Sequence, residues 1–169
     1  MLSPLLGLTT FTYKIGDIGP GNGYIFFVDY HDQFPEFTYL EASPVDISAV
    51  AWCNDTSTSI AGADGWNANA IGRGQANTTA MLAGCASGAA VDAHAYTNNG
   101  KSDWFLPSEG ELMLMYTNLR QAGVGSFAGF YWSSTQLNGN NAWSQYFDGG
   151  TQNSNNKVNG YRVRAVRAF

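Results

Sequence analysis

Hydrophobic positions alternate with period two near both ends of the chain, and with period 3.6 in one segment of its middle. Tyr24-Ile25-Phe26-Phe27-Val28 follows a glycine-rich turn and predicts a strand. Phe37 to Ala42 predicts a second, with His31-Asp32-Gln33 as the hairpin loop between them. Val50-Ala51-Trp52 predicts a short strand in a loop-rich stretch over residues 43–75. Asn77 is placed to cap a helix running through Met81, Leu82 and Cys85, extended by the alanines that follow, although Gly84 and Gly88 weaken it. Trp104-Phe105-Leu106 reads as a short strand stopped by Pro107. Ser108 and Glu111 then form an S-x-x-E capping box, and Leu112, Met115, Tyr116 and Leu119 fall on one helix face, with Gly123 as the stop. After residue 128 the pattern is wholly β. Strands are predicted over Tyr131–Thr135, Ala142–Phe147 and Tyr161–Val166, separated by polar loops at Gln136–Asn141 and Asp148–Gly160. Strands, two helices and a run of strands predict an α+β domain with an antiparallel sheet.

Composition narrows the class. Apolar residues are 44% of the 169 positions and aromatics 14%, enough for one core without a metal. Charged residues are only 12%, about half the usual ~25%. With many Gly, Asn, Ser and Thr this means neutral polar loops, since disordered chains are charge-rich and aromatic-poor. A net charge of −5 argues against a nucleic-acid binder. The charge is uneven: Lys157, Arg162, Arg164 and Arg167 lie in the last thirteen positions, and no acid follows Asp148. These are either structural arginines on a closing strand or an anion-attracting patch. No apolar run reaches the ~18 residues of a membrane span. Residues 1–12 have no basic n-region or small-residue cleavage site, and are read as an edge or linker remnant of a longer parent chain. Residues 13–169 then form a single domain. Cys53 and Cys85 either close one disulfide, worth roughly 3–4 kcal/mol for a loop of this size, or remain buried thiols. The bridge requires an exported protein.

Catalytic and metal chemistry find little support. There is no H-E-x-x-H, and Gly125-Ser126-Phe127-Ala128-Gly129 sets its serine one place too early for a nucleophile elbow. The glycines before Tyr24 precede a strand, where a dinucleotide loop would open a helix. Asp46, Asp55, Asp64 and Glu109 do not match a calcium loop. No cofactor and no metal site are expected. The positive signal is asparagine. Asn138, Asn140, Asn141, Asn153, Asn155, Asn156 and Asn159, seven of the chain's 15, fall within 22 residues, among Trp132, Trp143, Tyr146, Phe147 and Tyr161. Amides and aromatic rings on loops held by a sheet are recognition chemistry; asparagine is also simply a good turn residue. Both readings stand.

Several motifs occur together in a familiar order. They are Gly19-Pro20-Gly21-x-Gly23, Gly74-Gln75-Ala76-Asn77-Thr78, Ser102-Asp103-Trp104-Phe105-Leu106-Pro107-Ser108 with Glu111-Leu112, Tyr131-Trp132-Ser133-Ser134, Ala142-Trp143, and Arg162-Val163-Arg164-Ala165-Val166-Arg167. From about Tyr13 to Phe169 the chain resembles the C-terminal domain family of bacterial collagen-like adhesins. The resemblance implies a C-type-lectin-like fold with two helices and a mostly antiparallel, loop-rich sheet. It also implies kinship with the variable proteins of diversity-generating retroelements, in which adenine-containing codons near the gene's 3′ end are rewritten. Positions eligible for ligand contact on that basis are Asn138, Asn140, Asn141, Trp143, Tyr146, Asp148, Asn153, Asn155, Asn156, Lys157 and Asn159. The same fold hosts formylglycine-generating-type enzymes and calcium-dependent lectins, but no Glu-Pro-Asn-like tripeptide is present.

The expectation is therefore a non-enzymatic adhesin or receptor-binding display domain. It would be extracellular, on a cell surface or a phage tail, within a longer chain. Its ligand would be a protein or glycan on a host or neighbouring cell, met by the C-terminal strands and Asn-rich loops. The alternative is a fixed adhesin for sulfated glycosaminoglycans, as a homotrimer, with Lys157 and Arg162 as anion contacts. An enzyme using Cys53 or Cys85 is a more distant reading.

Overall fold

A computed structural model describes residues 10–169. In chain order the elements are β1 (Tyr24–Val28), β2 (Tyr39–Ala42), β3 (Ser48–Val50), α1 (Trp66–Asn69), α2 (Gly74–Gly84), α3 (Ala89–Ala95) and α4 (Glu109–Met115), the last continued by a π-helical turn (Tyr116–Arg120). Then come β4 (Phe130–Gln136), β5 (Asn141–Tyr146), β6 (Thr151–Asn156), β7 (Tyr161–Val163) and β8 (Val166–Ala168). The strands form two sheets. One has the order β1-β2-β8 and is antiparallel. The other has the order β3-β7-β4-β5-β6, with only the β4–β7 pair parallel.

The α+β class and the loop-rich, largely antiparallel strands are as expected, but the two-helix C-type-lectin-like fold is not what the chain forms. Four α-helices are present among the described residues. The helix expected from Asn77 onward is two helices. Its first part starts earlier, at Gly74, so Asn77 is an interior residue. It is fully buried, and its amide donates to Ala68 O at 2.8 Å and to Ser134 Oγ at 3.2 Å. The chain then leaves the helix at Cys85, which is bonded to Cys53. Gly88, at φ 123°, packs where any Cβ would collide with the Trp52–Cys53 backbone. That combination separates α2 from the alanines of α3. The strand expected over Tyr161–Val166 also divides, β7 joining the larger sheet and β8 the smaller. Residues 148–160, read as loop, contain β6. Thr-Gln-Asn-Ser-Asn-Asn carries no apolar alternation, and becomes a strand only because β5 offers a ladder. Residues 1–9 of the expected linker remnant lie outside the described residues. Beyond them, Phe11 packs edge-on to Tyr30 and the Thr12 N–H donates to the Tyr39 hydroxyl at 2.9 Å. Among the described residues no helix is long and apolar enough to cross a membrane.

Two apolar clusters flank the larger sheet. One gathers Trp52, Met81, the α3 alanines, Trp104, Trp132, Ala142 and Val163; the other gathers Phe26, Leu40, Phe105, Leu112, Met115, Phe127, Tyr131 and Phe147. Indole N–H groups stitch the first. Trp52 Nε1 donates to Ser133 O at 2.7 Å and Trp132 Nε1 to Val50 O at 2.9 Å. Buried carboxylates hold glycine backbones to the core. Glu41 accepts from the Gly21 and Gly23 N–H groups, and a side chain at either glycine would strike the carboxylate or the β2 backbone. Glu111 is the N3 residue of the capping box. It accepts from Ser108 N at 2.8 Å, and on its other oxygen from Gly72 N at 2.8 Å and Gly74 N at 3.3 Å. It thereby joins the start of α4 to the start of α2.

Burial pushes the Glu111 carboxyl up to about 7 from its ordinary 4.5, against the pull of the Ser108, Gly74 and Gly72 N–H groups. The folded chain thus binds this proton more tightly than the unfolded chain. The stability this gives is full below about pH 4.5 and is lost as pH rises through about 7, on the order of 3 kcal/mol in all. Glu111→Gln has no proton to lose there. The unfolding free energy of the native chain, measured relative to that variant by urea titration, is expected to fall between pH 5 and pH 8. A difference that stays flat across that window would contradict the assignment.

Candidate functional site

The Asn-rich segment is the β4–β5–β6 hairpin pair and the turn that leads into β7. In β5 and β6, Asn141 lies opposite Asn156, Trp143 opposite Ser154 and Gln145 opposite Gln152 on one face. Ala142 opposite Asn155, Ser144 opposite Asn153 and Tyr146 opposite Thr151 occupy the other. Period-two alternation therefore divides the expected contact residues between two faces. Asn141, Trp143 and Asn156 share the face toward α4, where Gln152 Nε2 donates to Glu109 O at 2.8 Å. Trp143 is half-buried beside a cavity of about 290 Å³ shared with Gly65, Asn69, Gln136 and Leu137. Tyr146, Asn153 and Asn155 share the opposite face.

The remaining positions separate further. Asn138 and Asn140 are exposed in the β4–β5 loop. Asn138 Oδ1 accepts from the N–H groups of Asn140 and Asn141, both at 2.9 Å, so its first task is to make the turn. Asn156 Oδ1 does the same for Val158 N at 3.1 Å. Asp148 is at the other end of the hairpin, where its Oδ2 accepts from Gly129 N at 2.9 Å. Lys157 is fully buried. Its ammonium donates to Gln136 Oε1 at 2.8 Å and Thr58 O at 3.2 Å and sits 4.5 Å from the centre of a Trp52 ring. Burial pushes its pKa down, and the nearby Asp55 charge opposes that shift. Arg162 is half-exposed, but it is paired with Asp46 at 2.9 Å.

What the fold does bring together is an aromatic row on the face opposite α4. Phe130 of β4 stacks on Tyr146 of β5 at 4.5 Å between centroids and on Tyr161 of β7 at 4.9 Å; Trp132 then meets Tyr161 at 4.6 Å. Trp132 is buried in the first core, whereas Phe130, Tyr146 and Tyr161 are half-buried. Asn159 Nδ2 donates to the Tyr161 hydroxyl at 3.1 Å, and Asn153 and Asn155 stand on the same face in β6. Beside the row is a shallow cleft of about 520 Å³ lined by Asp46 to Ala49, Phe130, Gly160, Tyr161 and Arg162. Stacking covers the ring faces inside the row and leaves ring edges, which carry partial positive charge, and two phenol hydroxyls. That surface suits oxygen-rich, uncharged groups. Phe130 was not legible as a site residue, because it precedes the predicted strand by one position. Only its cross-strand partner, Tyr146, identifies its face.

The C-terminal arginines turn out to be paired. Arg164 is buried and bonds Asp46 through both Nε and Nη2, at 2.9 and 2.7 Å, while giving Nη1 to Ser43 O and Nη2 to Gly125 O. Tyr131 also donates its hydroxyl to Asp46, at 2.9 Å. Arg167 pairs with Glu41 at 2.9 Å and with Asp103. Acids from the first two-thirds of the chain thus pair with Arg162, Arg164 and Arg167.

A family model described as the Lcl C-terminal domain matches residues 47–167. The chain belongs to the Lcl C-terminal domain family. This is the bacterial adhesin C-terminal type that the motif order resembles. Among the described residues no group of three or more His, Cys, Asp or Glu could hold a metal ion. No curated protein matches the chain. Among solved structures, the crystal structure of a fimbrial protein from Bacteroides ovatus ATCC 8483 is similar in fold, with a TM-score of 0.57 at 15% identity. The likeness covers 89% of this chain and 45% of that one, so this chain spans less than half the length of its structural neighbour.

Removal of the Asp46 carboxylate would strand the buried Arg164 guanidinium. Asp46→Ala is expected to cost about 3–5 kcal/mol in denaturant unfolding, whereas Arg162→Ala, which breaks only the exposed bond to the same carboxylate, is expected to cost under about 1 kcal/mol. Equal losses would mean that the exposed and buried pairs are worth the same.

Proposed function

We propose that this domain is the ligand-contacting module of a longer extracellular adhesin-type protein, and that it binds through the Phe130–Tyr146–Tyr161 row rather than through the Asn-rich loops as a whole. The observation that carries this is the row itself. It is three stacked aromatic rings, half-buried on a sheet face, beside a cleft of about 520 Å³ and rimmed by amides. Aromatic anchors on a rigid sheet lose little entropy on binding and supply most of the contact energy. The ligand class that fits is an uncharged glycan or a neutral polar protein surface. The sulfated-glycan alternative rests on Lys157 and Arg162. Burial of the first and pairing of the second to Asp46 disfavour it. The fimbrial nature of the structural neighbour agrees with a surface location for the parent chain.

Tyr146→Ala is expected to weaken binding of a neutral oligosaccharide, found by array screening and measured by calorimetry, by about 2 kcal/mol. Fold stability should change by about 1 kcal/mol, the worth of one lost ring stack. Binding should persist at high ionic strength. Unchanged affinity in the variant, or a steep loss with salt, would remove this reading.

A second reading concerns genetic diversification of the hairpin. It is favoured by the position of β6, which pairs with β5 alone at the sheet edge, so that substitutions there disturb one neighbouring strand. Sequencing the gene's 3′ end across its source population is expected to show substitutions concentrated in codons 138–159 and absent from 161–169. A uniform segment would leave a fixed binding face.

A further inference from the structure

A second cavity, of about 320 Å³, shares no residue with the aromatic row or its cleft. Its wall is largely apolar. The link between β1 and β2 contributes Phe34 and Phe37, stacked at 4.9 Å between centroids, and Phe27 braces both rings edge-on. Leu40 and Phe105, both buried, line it together with Ile71 and Ala168. The volume is at the small end of ligand pockets, a size for one small molecule.

Two side chains of opposite charge line this apolar cavity, Arg73 and Glu36. Arg120, Arg162, Arg164 and Arg167 each have a carboxylate partner. Arg73 has none among the described residues. Its Nε is shut off from solvent and bonds to nothing, which costs the desolvation of a donor without return. Glu36 is exposed, and among the described residues its carboxylate pairs neither with Arg73 nor with any other group. The backbone under Arg73 is fixed. The N–H groups of Gly72 and Gly74, on either side of it, both donate to the buried Glu111 carboxylate, at 2.8 and 3.3 Å. Gly72 also has φ 84°, and a Cβ there would come within 3.1 Å of the Phe34 ring, so a glycine is what lets that ring close in. A cationic group held on a fixed backbone beside rigid rings is preorganised for a ligand.

We propose that this cavity binds a free apolar α-amino acid as its zwitterion. The ligand carboxylate meets the Arg73 guanidinium and takes up the unused Nε donor, as planar guanidinium and carboxylate groups match in bidentate fashion. The ligand ammonium turns toward Glu36. The apolar side chain enters among Phe34, Phe37 and Phe105. An anion without an ammonium would leave Glu36 opposed to it, and a cation without a carboxylate would leave Arg73 unpaired. The pair of charges therefore selects the zwitterion, and the rings select an apolar side chain.

The test is isothermal calorimetry of the full chain with L-phenylalanine and L-leucine, beside phenylpropionate, which lacks the ammonium, and phenethylamine, which lacks the carboxylate. At least one of the two amino acids is expected to bind, and each one-charge analogue to bind weaker than L-phenylalanine by roughly tenfold or more. Arg73→Gln should lose amino-acid binding while circular dichroism and the melting temperature stay near native values. Glu36→Gln should bring phenylpropionate level with L-phenylalanine. Tyr146→Ala should leave amino-acid affinity unchanged, which separates this site from the aromatic row. No binding of either amino acid at millimolar concentration would overturn the proposal. So would native-strength binding by Arg73→Gln, a one-charge analogue that binds the native chain as tightly as L-phenylalanine, or loss of amino-acid binding in Tyr146→Ala.

Discussion

The buried guanidinium of Arg164 is the interaction on which the two-sheet arrangement depends. It lies between β7 and β8, where the chain leaves one sheet for the other, and almost none of its side chain is exposed. A charge there requires a fixed counter-charge and filled hydrogen bonds. Asp46 supplies the first, just before β3 enters the larger sheet, and the carbonyls of Ser43 and Gly125 supply the second. The Phe127 ring covers one side, 4.2 Å from the guanidinium carbon. This contact binds the β2–β3 link, the turn before β4 and the C-terminal tail at one point. Burying such a pair is not in itself a large source of stability, and the apolar clusters on either side supply that. It fixes the segments that enter the two sheets to one another at a single point.

The same requirement organises the other end of the tail. Arg167 meets Glu41, whose oxygens also hold the Gly21 and Gly23 N–H groups. Motifs at opposite ends of the sequence are therefore two halves of one polar contact. Low overall charge is consistent with this pattern. With few ions in the chain, those of the tail are committed to internal partners, and little cationic surface remains for an anionic ligand.

With the tail arginines paired, the surface available for recognition is set by strand alternation. A cluster of asparagines that looks continuous in sequence is divided by the pleat into residues facing α4, residues facing away, and turn-makers at both ends of the hairpin. The aromatic row is assembled by the opposite process, from three strands separated by up to 31 positions. A face of this kind keeps its aromatic rings when its loops change, which is what the proposed binding role requires.

The capping box at Ser108 and Glu111, the first hairpin, the strands around Trp132 and Trp143 and the α+β class were legible because each rests on local periodicity or local hydrogen bonding. The family was legible because its motifs are short and ordered along the chain. The helix count was not. Whether the alanines after Cys85 continue α2 depends on a bond to Cys53 and on the close fit of Gly88 to the Trp52 backbone, both made by residues more than thirty positions away. The strand character of Thr151–Asn156 was equally hidden, since amides have weak β preference and only the neighbouring strand decides. The role of the tail arginines also required the tertiary structure: sequence shows their charge, but only the folded chain shows that Asp46, Glu41 and Asp103 meet them.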